Sequence, residues 1–316
     1  MKKICVTGAN GFVGKSLCKA LISSGKSVRG LVRTLDVNLN SSEINYLPIG
    51  NIESKINWKD YLYGHECVVH CAGKTHSMKK KNNLDDYFLI NTESTKLLAN
   101  QAIEAGVKRF IFLSSIKVNG EMTNEVNEIK KFTNNDIPNP KDYYAISKFE
   151  AEKALWKIAA KSGMEVVVVR IPLVYGYNVK GNLKSLMKLI KLRVPLPFSL
   201  VNNKRSLIGI DNLVDLLTRC IDHPQAKDKT FLVSDDQDLS TPDLIKHIAS
   251  AMGLSTRMFP FPISFLRIIS YFIKRQNEIS RLIDHLQVDC DYAKNTLNWS
   301  PPVGVKEGIK QMVQGV

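Results

Sequence analysis

Among the ten tyrosines of this 316-residue chain, only Tyr144 has a lysine four positions later, Lys148, in the run Tyr144-Ala145-Ile146-Ser147-Lys148. Residues i and i+4 share one face of a helix, so the ammonium can lie close to the phenol. A nearby cation favours the phenolate and lowers the tyrosine pKa, as a general acid/base working near neutrality requires. Upstream, an apolar run over 109–113 ends in Ser114-Ser115. A hydroxyl there stands at the carboxyl edge of a strand and can hydrogen-bond an oxygen that alternates between alcohol and ketone. We assign that role to Ser115, with Ser114 as its structural neighbour.

A second motif opens the chain. Gly8-Ala9-Asn10-Gly11-Phe12-Val13-Gly14 follows the first apolar run directly and precedes a helical pattern. Its glycines permit a tight turn and close backbone approach, which lets a pyrophosphate sit on free amides at the positive end of a helix. We therefore take Gly8, Asn10, Gly11, Phe12, Val13 and Gly14 as cofactor contacts. Chains that bind NAD usually end the second strand with an acid for the ribose 2'-hydroxyl, whereas here the end reads Leu31-Val32-Arg33. Arg33 suits a 2'-phosphate and leans the choice to NADP, while Asp36 could swing back to serve NAD. Gly50-Asn51-Ile52 sets Asn51 near the adenine, with Ile52 beside it among the cofactor contacts.

Elements must exist to carry these residues. Short β-branched runs at 4–6, 27–32, 67–71 and 109–114 alternate with helical patterns at 13–23 and 91–105. That rhythm predicts parallel strands joined by right-handed crossovers, a doubly wound Rossmann-type α/β sheet. Strands apolar on successive residues, such as Phe110-Ile111-Phe112-Leu113, fit a sheet covered on both faces. A long helix is expected over 144–161, ending near Gly163 and delivering a strand at 165–170. We expect the dinucleotide domain over 1–171, with 206–236 returning to it. A smaller lobe for the substrate then takes 172–205 and 237–316.

Composition narrows the classes. The formal charge of +14 suits a polyanionic partner, and the basic residues are scattered rather than striped. The densest run, Lys79-Lys80-Lys81, reads as a solvated loop, and no nucleic-acid-binding signature accompanies the charge. The six cysteines lack a C-x-x-C pair and mostly sit in apolar runs, which indicates a reducing, cytoplasmic setting. Cys67, His70, Cys71 and His76 lie close in sequence, but alternation along a strand splits Cys67 and Cys71 from His70, so no metal site is expected. The apolar stretch 258–273 is too short to span a bilayer and is interrupted by Arg267. A core or oligomer-contact helix is favoured there over an interfacial membrane helix.

The segments GANGFVG, VVHCAG, FLSSIKVNG, YYAISKFEAE and VVRIPLVYG together resemble the extended short-chain dehydrogenases/reductases of the NAD-dependent epimerase/dehydratase family. Within that family SSIKVNGE, RSLIGIDNLVDLL and LQVD are most similar to UDP-hexose 4-epimerases and related UDP-4-keto-sugar 4-reductases. The resemblance implies Ser115, Tyr144 and Lys148 as a catalytic triad, with Ala72, Gly73 and Pro172 touching the cofactor. It further implies that Arg205, Arg281 and Asp284 hold the uridine diphosphate, and that the protein is a homodimer. Dehydratases of the family carry an Asp-Glu pair where this chain has Ile116-Lys117, so dehydration is disfavoured. The expected reaction is 4-epimerisation of a UDP-hexose or UDP-N-acetylhexosamine. NADPH-dependent reduction of a UDP-4-keto-6-deoxy sugar stands beside it, and a dinucleotide-sensing or nucleic-acid-binding role on the same fold is the reading from another class.

Overall fold

The computed structural model describes residues 1–35, 44–52, 56–75, 84–123 and 130–315. Nine strands are present among them: β1 (Lys3–Thr7), β2 (Ser27–Val32), β3 (Asn45–Pro48), β4 (Cys67–His70), β5 (Arg109–Ser115), β6 (Glu165–Ile171), β7 (Leu173–Tyr175), β8 (Leu207–Gly209) and β9 (Lys229–Leu232). Seven form one sheet in the order β3-β2-β1-β4-β5-β6-β9, with every adjacent pair parallel. This is the doubly wound sheet expected from the alternating pattern. The other two strands, β7 and β8, pair in parallel as a small separate sheet.

Alternation along the strands divides the core into two layers. Ile4, Val6, Val69, Ile111 and Val167 face Leu17 and Leu21 of helix Phe12–Ser23 and Leu213 and Leu217 of helix Ile210–Asp222. Cys5, Val68, Phe110, Phe112 and Val166 face the opposite way, against Leu98 of helix Ser94–Glu104 and Ala151 and Leu155 of helix Tyr143–Ser162. Each large side chain buried in this way contributes roughly 1.5–3 kcal/mol. The layers hold the carboxyl ends of β1, β4, β5 and β6 in register, with Ser115 opposite Ile171.

A second core lies beyond β6. Leu183, Met187 and Ile190 of helix Asn182–Lys191 pack with Ile245 and Ile248 of helix Thr241–Ala251 and Ile309 and Met312 of helix Val305–Val313. The chain does not stay in this lobe after residue 237. Ala293, Leu297 and Trp299 belong to the core of the large sheet, where the Trp299 indole donates to Asp215 at 2.8 Å.

Of the two placements favoured for the apolar stretch 258–273, core or oligomer contact, the core one does not hold. Its helix, Ile263–Phe272, buries Leu266 and Ser270, rests Ile263 half-buried on the lobe core and exposes its remaining residues. One narrow stripe is enough to seat it on the lobe, so apolar residues all round the helix leave most of them uncovered. The Lys79-Lys80-Lys81 run, Asp36 and His76 lie outside the described residues.

Candidate active site

The glycine motif closes as a tight turn at the end of β1. Gly8 adopts φ +65°, and a Cβ there would stand 2.9 Å from the backbone of Ala72. The Gly11 amide bonds the Gly8 carbonyl at 2.8 Å, and a Cβ on Gly14 would meet that same oxygen at 2.2 Å. Only glycine lets the loop lie this close on the first turn of helix Phe12–Ser23. Gly11 caps that helix through its backbone alone, with no side-chain bond to the terminal amides and no acid in the first turn. Asn10 and Gly11 are exposed on the turn, with Phe12 and Val13 half-buried behind them. An uncapped helix start behind a glycine cradle fits a pyrophosphate.

The rim of the cradle runs to both sides. Arg33 is exposed just past β2, and its carbonyl accepts from the Gly50 amide at 3.1 Å. Next to it Asn51 is exposed, while Ile52 is half-buried against the sheet core. On the other side the Ala72 amide donates to the Thr7 hydroxyl at 3.2 Å. A Cβ on Gly73 would lie 3.3 Å from the Lys148 Nζ, so the cradle and the candidate lysine are contiguous. Pro172 is buried directly after Ile171, the residue paired with Ser115.

Helix Tyr143–Ser162 presents the other candidates. Asp142 caps it by accepting from the Ala145 amide at 2.8 Å, and Gly163, at φ +72°, ends it. The Ser115 hydroxyl shares a hydrogen bond with the Tyr144 phenol. Lys148 is buried and donates to the Leu113 carbonyl at 2.8 Å, with its Nζ 4.5 Å from the centre of the Phe112 ring. Burial pulls Lys148 down to about 8, opposed by the neighbouring Cys71 and Glu152. The Tyr144 phenol moves opposite to the expected direction. Burial pushes it up to about 12, and Ser115 is the group that lowers it. The ammonium of Lys148 is turned to a carbonyl, so it gives the phenolate no support in this arrangement.

Cys67 and His70, read from the sequence as strand residues, are buried on β4, and Cys71 is half-buried just after it. His70 is fully buried with one ring nitrogen 2.7 Å from the Thr7 hydroxyl and the other 3.0 Å from that of Thr95. Burial raises the thiols of Cys67 and Cys71 to about 12, which keeps them protonated.

The remaining predicted residues cluster in the lobe. Arg205 donates to the Asp284 carbonyl at 3.0 Å, and burial lowers it to about 10, with Asp284 raising it and Arg281 lowering it. Asp284 is buried. One carboxylate oxygen meets Arg267 at 2.6 Å, and among the described residues the other has no hydrogen-bond partner. The segment after Asp284 is pinned to the loop after Ser115, through Thr123 N to the His285 carbonyl at 3.0 Å and Phe132 N to the Gln287 carbonyl at 2.8 Å. The arginine–aspartate cluster is thereby fixed relative to Ser115.

Several supporting residues escape a reading by sequence. Asn91 clasps both the amide and the carbonyl of Lys74, at 2.8 and 3.0 Å, and reaches the Ser147 hydroxyl at 3.0 Å. It thus ties the Ala72-Gly73 segment to the helix of Tyr144. Glu152, one turn beyond Lys148, binds Arg170 through both oxygens, at 2.6 and 3.1 Å, and accepts from Ser114. Arg170 also reaches Asn119 at 2.9 Å. At the position of the dehydratase acids, Ile116 is buried and Lys117 binds Asp142 and Glu121. Only Glu152 leaves a signal in the sequence: an acid on the buried face of the Tyr144 helix.

The strand order and the glycine cradle at the first crossover define an extended short-chain dehydrogenase/reductase. Residues 4–234 match the NAD dependent epimerase/dehydratase family, and the chain belongs to that family. It is 43% identical over 317 residues to a UDP-glucose 4-epimerase of Vibrio cholerae, covering 99% of this chain and 95% of that one. It is also 22% identical to the N-acetyl-alpha-D-glucosaminyl-diphospho-ditrans,octacis-undecaprenol 4-epimerase of Escherichia coli O157:H7, over 83% of this chain and 77% of the relative. Among solved structures, the UDP-glucose 4-epimerase of Thermotoga maritima with UDP-glucose superposes with a TM-score of 0.79 at 21% identity, covering 99% and 98% of the two chains.

Proposed function

We propose that this protein interconverts a UDP-hexose, with or without an N-acetyl group, and its C4 epimer. One observation carries the reading: the glycine cradle, Ala72-Gly73 and Lys148 are contiguous, and Ser115 and Tyr144 share a hydrogen bond at the same sheet edge. The similarity to the Vibrio cholerae enzyme supports the choice of substrate and reaction.

Gly8, Gly11 and Gly14 would hold the pyrophosphate of a nicotinamide dinucleotide, with Asn10, Phe12 and Val13 around it. Asn51 and Ile52 would take the adenine, Ala72, Gly73 and Pro172 the parts nearer the nicotinamide, and Lys148 the adjoining ribose. Bound there, such a group would supply reversible hydride transfer at C4 of the sugar. Tyr144 takes the C4 hydroxyl proton as the ketone forms and gives it back as the alcohol is restored. Ser115 hydrogen-bonds the same oxygen in both states. Lys148 assists by turning its ammonium from the Leu113 carbonyl toward the phenol, which lowers a pKa that burial alone raises. Arg205, Arg281 and Asp284 anchor the uridine diphosphate while the ketone turns over. Arginine suits a phosphate because its fork matches two oxygens at once. Ile116-Lys117 supplies no carboxylate, so elimination of water has no acid or base there.

The exposed guanidinium of Arg33 favours a 2'-phosphate, hence NADP over NAD. The two helices Ser94–Glu104 and Tyr143–Ser162 form the face we assign to a homodimer. Among the described residues no helix is long and apolar enough to cross a membrane.

Purified protein incubated with UDP-glucose or UDP-N-acetylglucosamine should form the galacto epimer by NMR, with catalytic dinucleotide and no net oxidation. Stoichiometric NADPH consumption on a UDP-4-keto sugar, without epimerisation, would replace this reading by a reductase. Tyr144→Phe should lower turnover about 10²–10⁴-fold with the fold intact. Retained turnover removes Tyr144 from the mechanism.

A further inference from the structure

We infer that the outer face of helix Ile263–Phe272 docks the protein on an anionic lipid bilayer. Phe265, Ile268, Ile269, Tyr271, Phe272 and the following Ile273 are each between 45% and 77% exposed. They sit within about two helical turns, a concentration of apolar surface that isolated surface residues do not make. Leu266 and Ser270 are buried against the lobe beneath, Ile263 packs on its core and Arg267 pairs with Asp284, so the helix is seated by its inner side.

Charge decides the occupant. Between Asp243 and Glu278 the chain has no acidic residue, while Arg257, Arg267, Lys274 and Arg275 lie within or beside the apolar run. Lys274 and Arg275 are exposed directly after the helix, and among the described residues neither meets a carboxylate within ion-pair distance. A second copy offering the same face would bring two basic patches together, in a chain of formal charge +14. A bilayer carrying anionic headgroups instead matches both components, with aromatic and aliphatic side chains entering the headgroup boundary and the cations at its surface. Tyr271 and Phe272, at the end nearest Lys274, are of the types favoured at that boundary. The helix is too short to cross, so the association lies in the plane of the surface.

The docked face is linked to the lobe's polar cluster. Arg267, on the same helix, holds the buried carboxylate of Asp284 at 2.6 Å, and the Asp284 carbonyl holds Arg205. Docking therefore sets the arginine–aspartate cluster close to the bilayer, and it does so whether or not the proposed reaction is correct.

Co-sedimentation of the full chain with vesicles tests this directly. Mixed phosphatidylglycerol–phosphatidylcholine vesicles should bind the protein about tenfold or more tightly than phosphatidylcholine alone, from roughly two basic residues at the surface. Ile268→Ser combined with Phe272→Ser should weaken that binding at least about tenfold, since each removes a large apolar contact. Lys274→Gln with Arg275→Gln should abolish the preference for anionic vesicles. Turnover in solution should be unchanged in both variants, which shows that they fold. Absence of vesicle binding by the unaltered chain, or binding indifferent to both variants, overturns the proposal. So does self-association by light scattering that the Ile268/Phe272 variant abolishes without any vesicle binding, because the occupant is then a second copy.

Discussion

Two cations are buried at the carboxyl edge of the same sheet, and their surroundings differ in kind. Arg170, on β6, is gripped by both oxygens of Glu152 and by Asn119, so its charge and its donors are matched. Lys148, one turn before Glu152 on its helix, has a carbonyl and an aromatic face instead of a carboxylate, and its pKa falls to about 8. A matched charge holds elements together. An unmatched one is a standing cost that a structural role does not explain, and such groups gather where chemistry is done.

The contrast is broken most severely from the matched side. Glu152→Ala leaves Arg170 buried without a counter-charge and takes the acceptor from Ser114, so it should destabilise the protein by about 3–5 kcal/mol. Urea denaturation followed by circular dichroism measures this, and a loss below about 1 kcal/mol would show that the pair is not the fastening described. Replacing Arg170 by Met together with Glu152→Gln should recover part of the loss, because the orphaned cation is gone.

Lys148→Met should act in the opposite direction on stability. The folded chain releases the Lys148 proton near pH 8 and the unfolded chain near the ordinary 10.5. Between those values the unfolded chain binds more protons, so this group's contribution to stability improves as pH rises across the window. Below about pH 8 both states are charged and the full burial cost stands. At pH 7 the variant should therefore gain about 1–3 kcal/mol, while losing turnover. The gain should shrink as the pH is raised from 8 toward 10.5. Equal or lower stability at pH 7 would mean that the Leu113 hydrogen bond and the Phe112 ring already offset the desolvation.

What the sequence discloses and conceals follows the same division. The glycine spacing after β1, the Tyr144–Lys148 interval and the serine at the end of β5 are local patterns, and local patterns locate elements as well as residues. The sheet order is legible for the same reason, since each βαβ unit carries its own periodicity. The direction of the Tyr144 shift is not legible, because burial is a property of everything packed around the phenol and outweighs the single residue four positions away. Nor is the Glu152–Arg170–Asn119 network, whose members come from three separate elements. The helix Ile263–Phe272 shows a third limit: composition identifies an apolar surface without saying which part of the molecule covers it.

The smallest effect tests how tightly the reactive helix must be held. Lys117 binds Asp142, whose carboxylate also caps the helix that starts at Tyr143. With both side chains partly exposed, the ion pair itself is worth no more than about 0.5–1 kcal/mol, so Lys117→Met should shift the denaturation midpoint only slightly. Its effect on turnover should be larger than its effect on stability. The Tyr144 hydroxyl lies on the first turn of that helix, and a loosened cap moves it relative to Ser115, whose strand stays fixed in the sheet. We expect kcat to fall about threefold to tenfold with KM nearly constant, since in the proposed mechanism the displaced group acts on the reacting oxygen and the proposed diphosphate anchors are untouched. Asp142→Asn keeps a capping oxygen and loses only the ion pair, so it should reproduce the Lys117→Met loss and no more. A change in KM at constant kcat in either variant would place Lys117 among the substrate-binding groups and sever the link between the helix cap and the phenol.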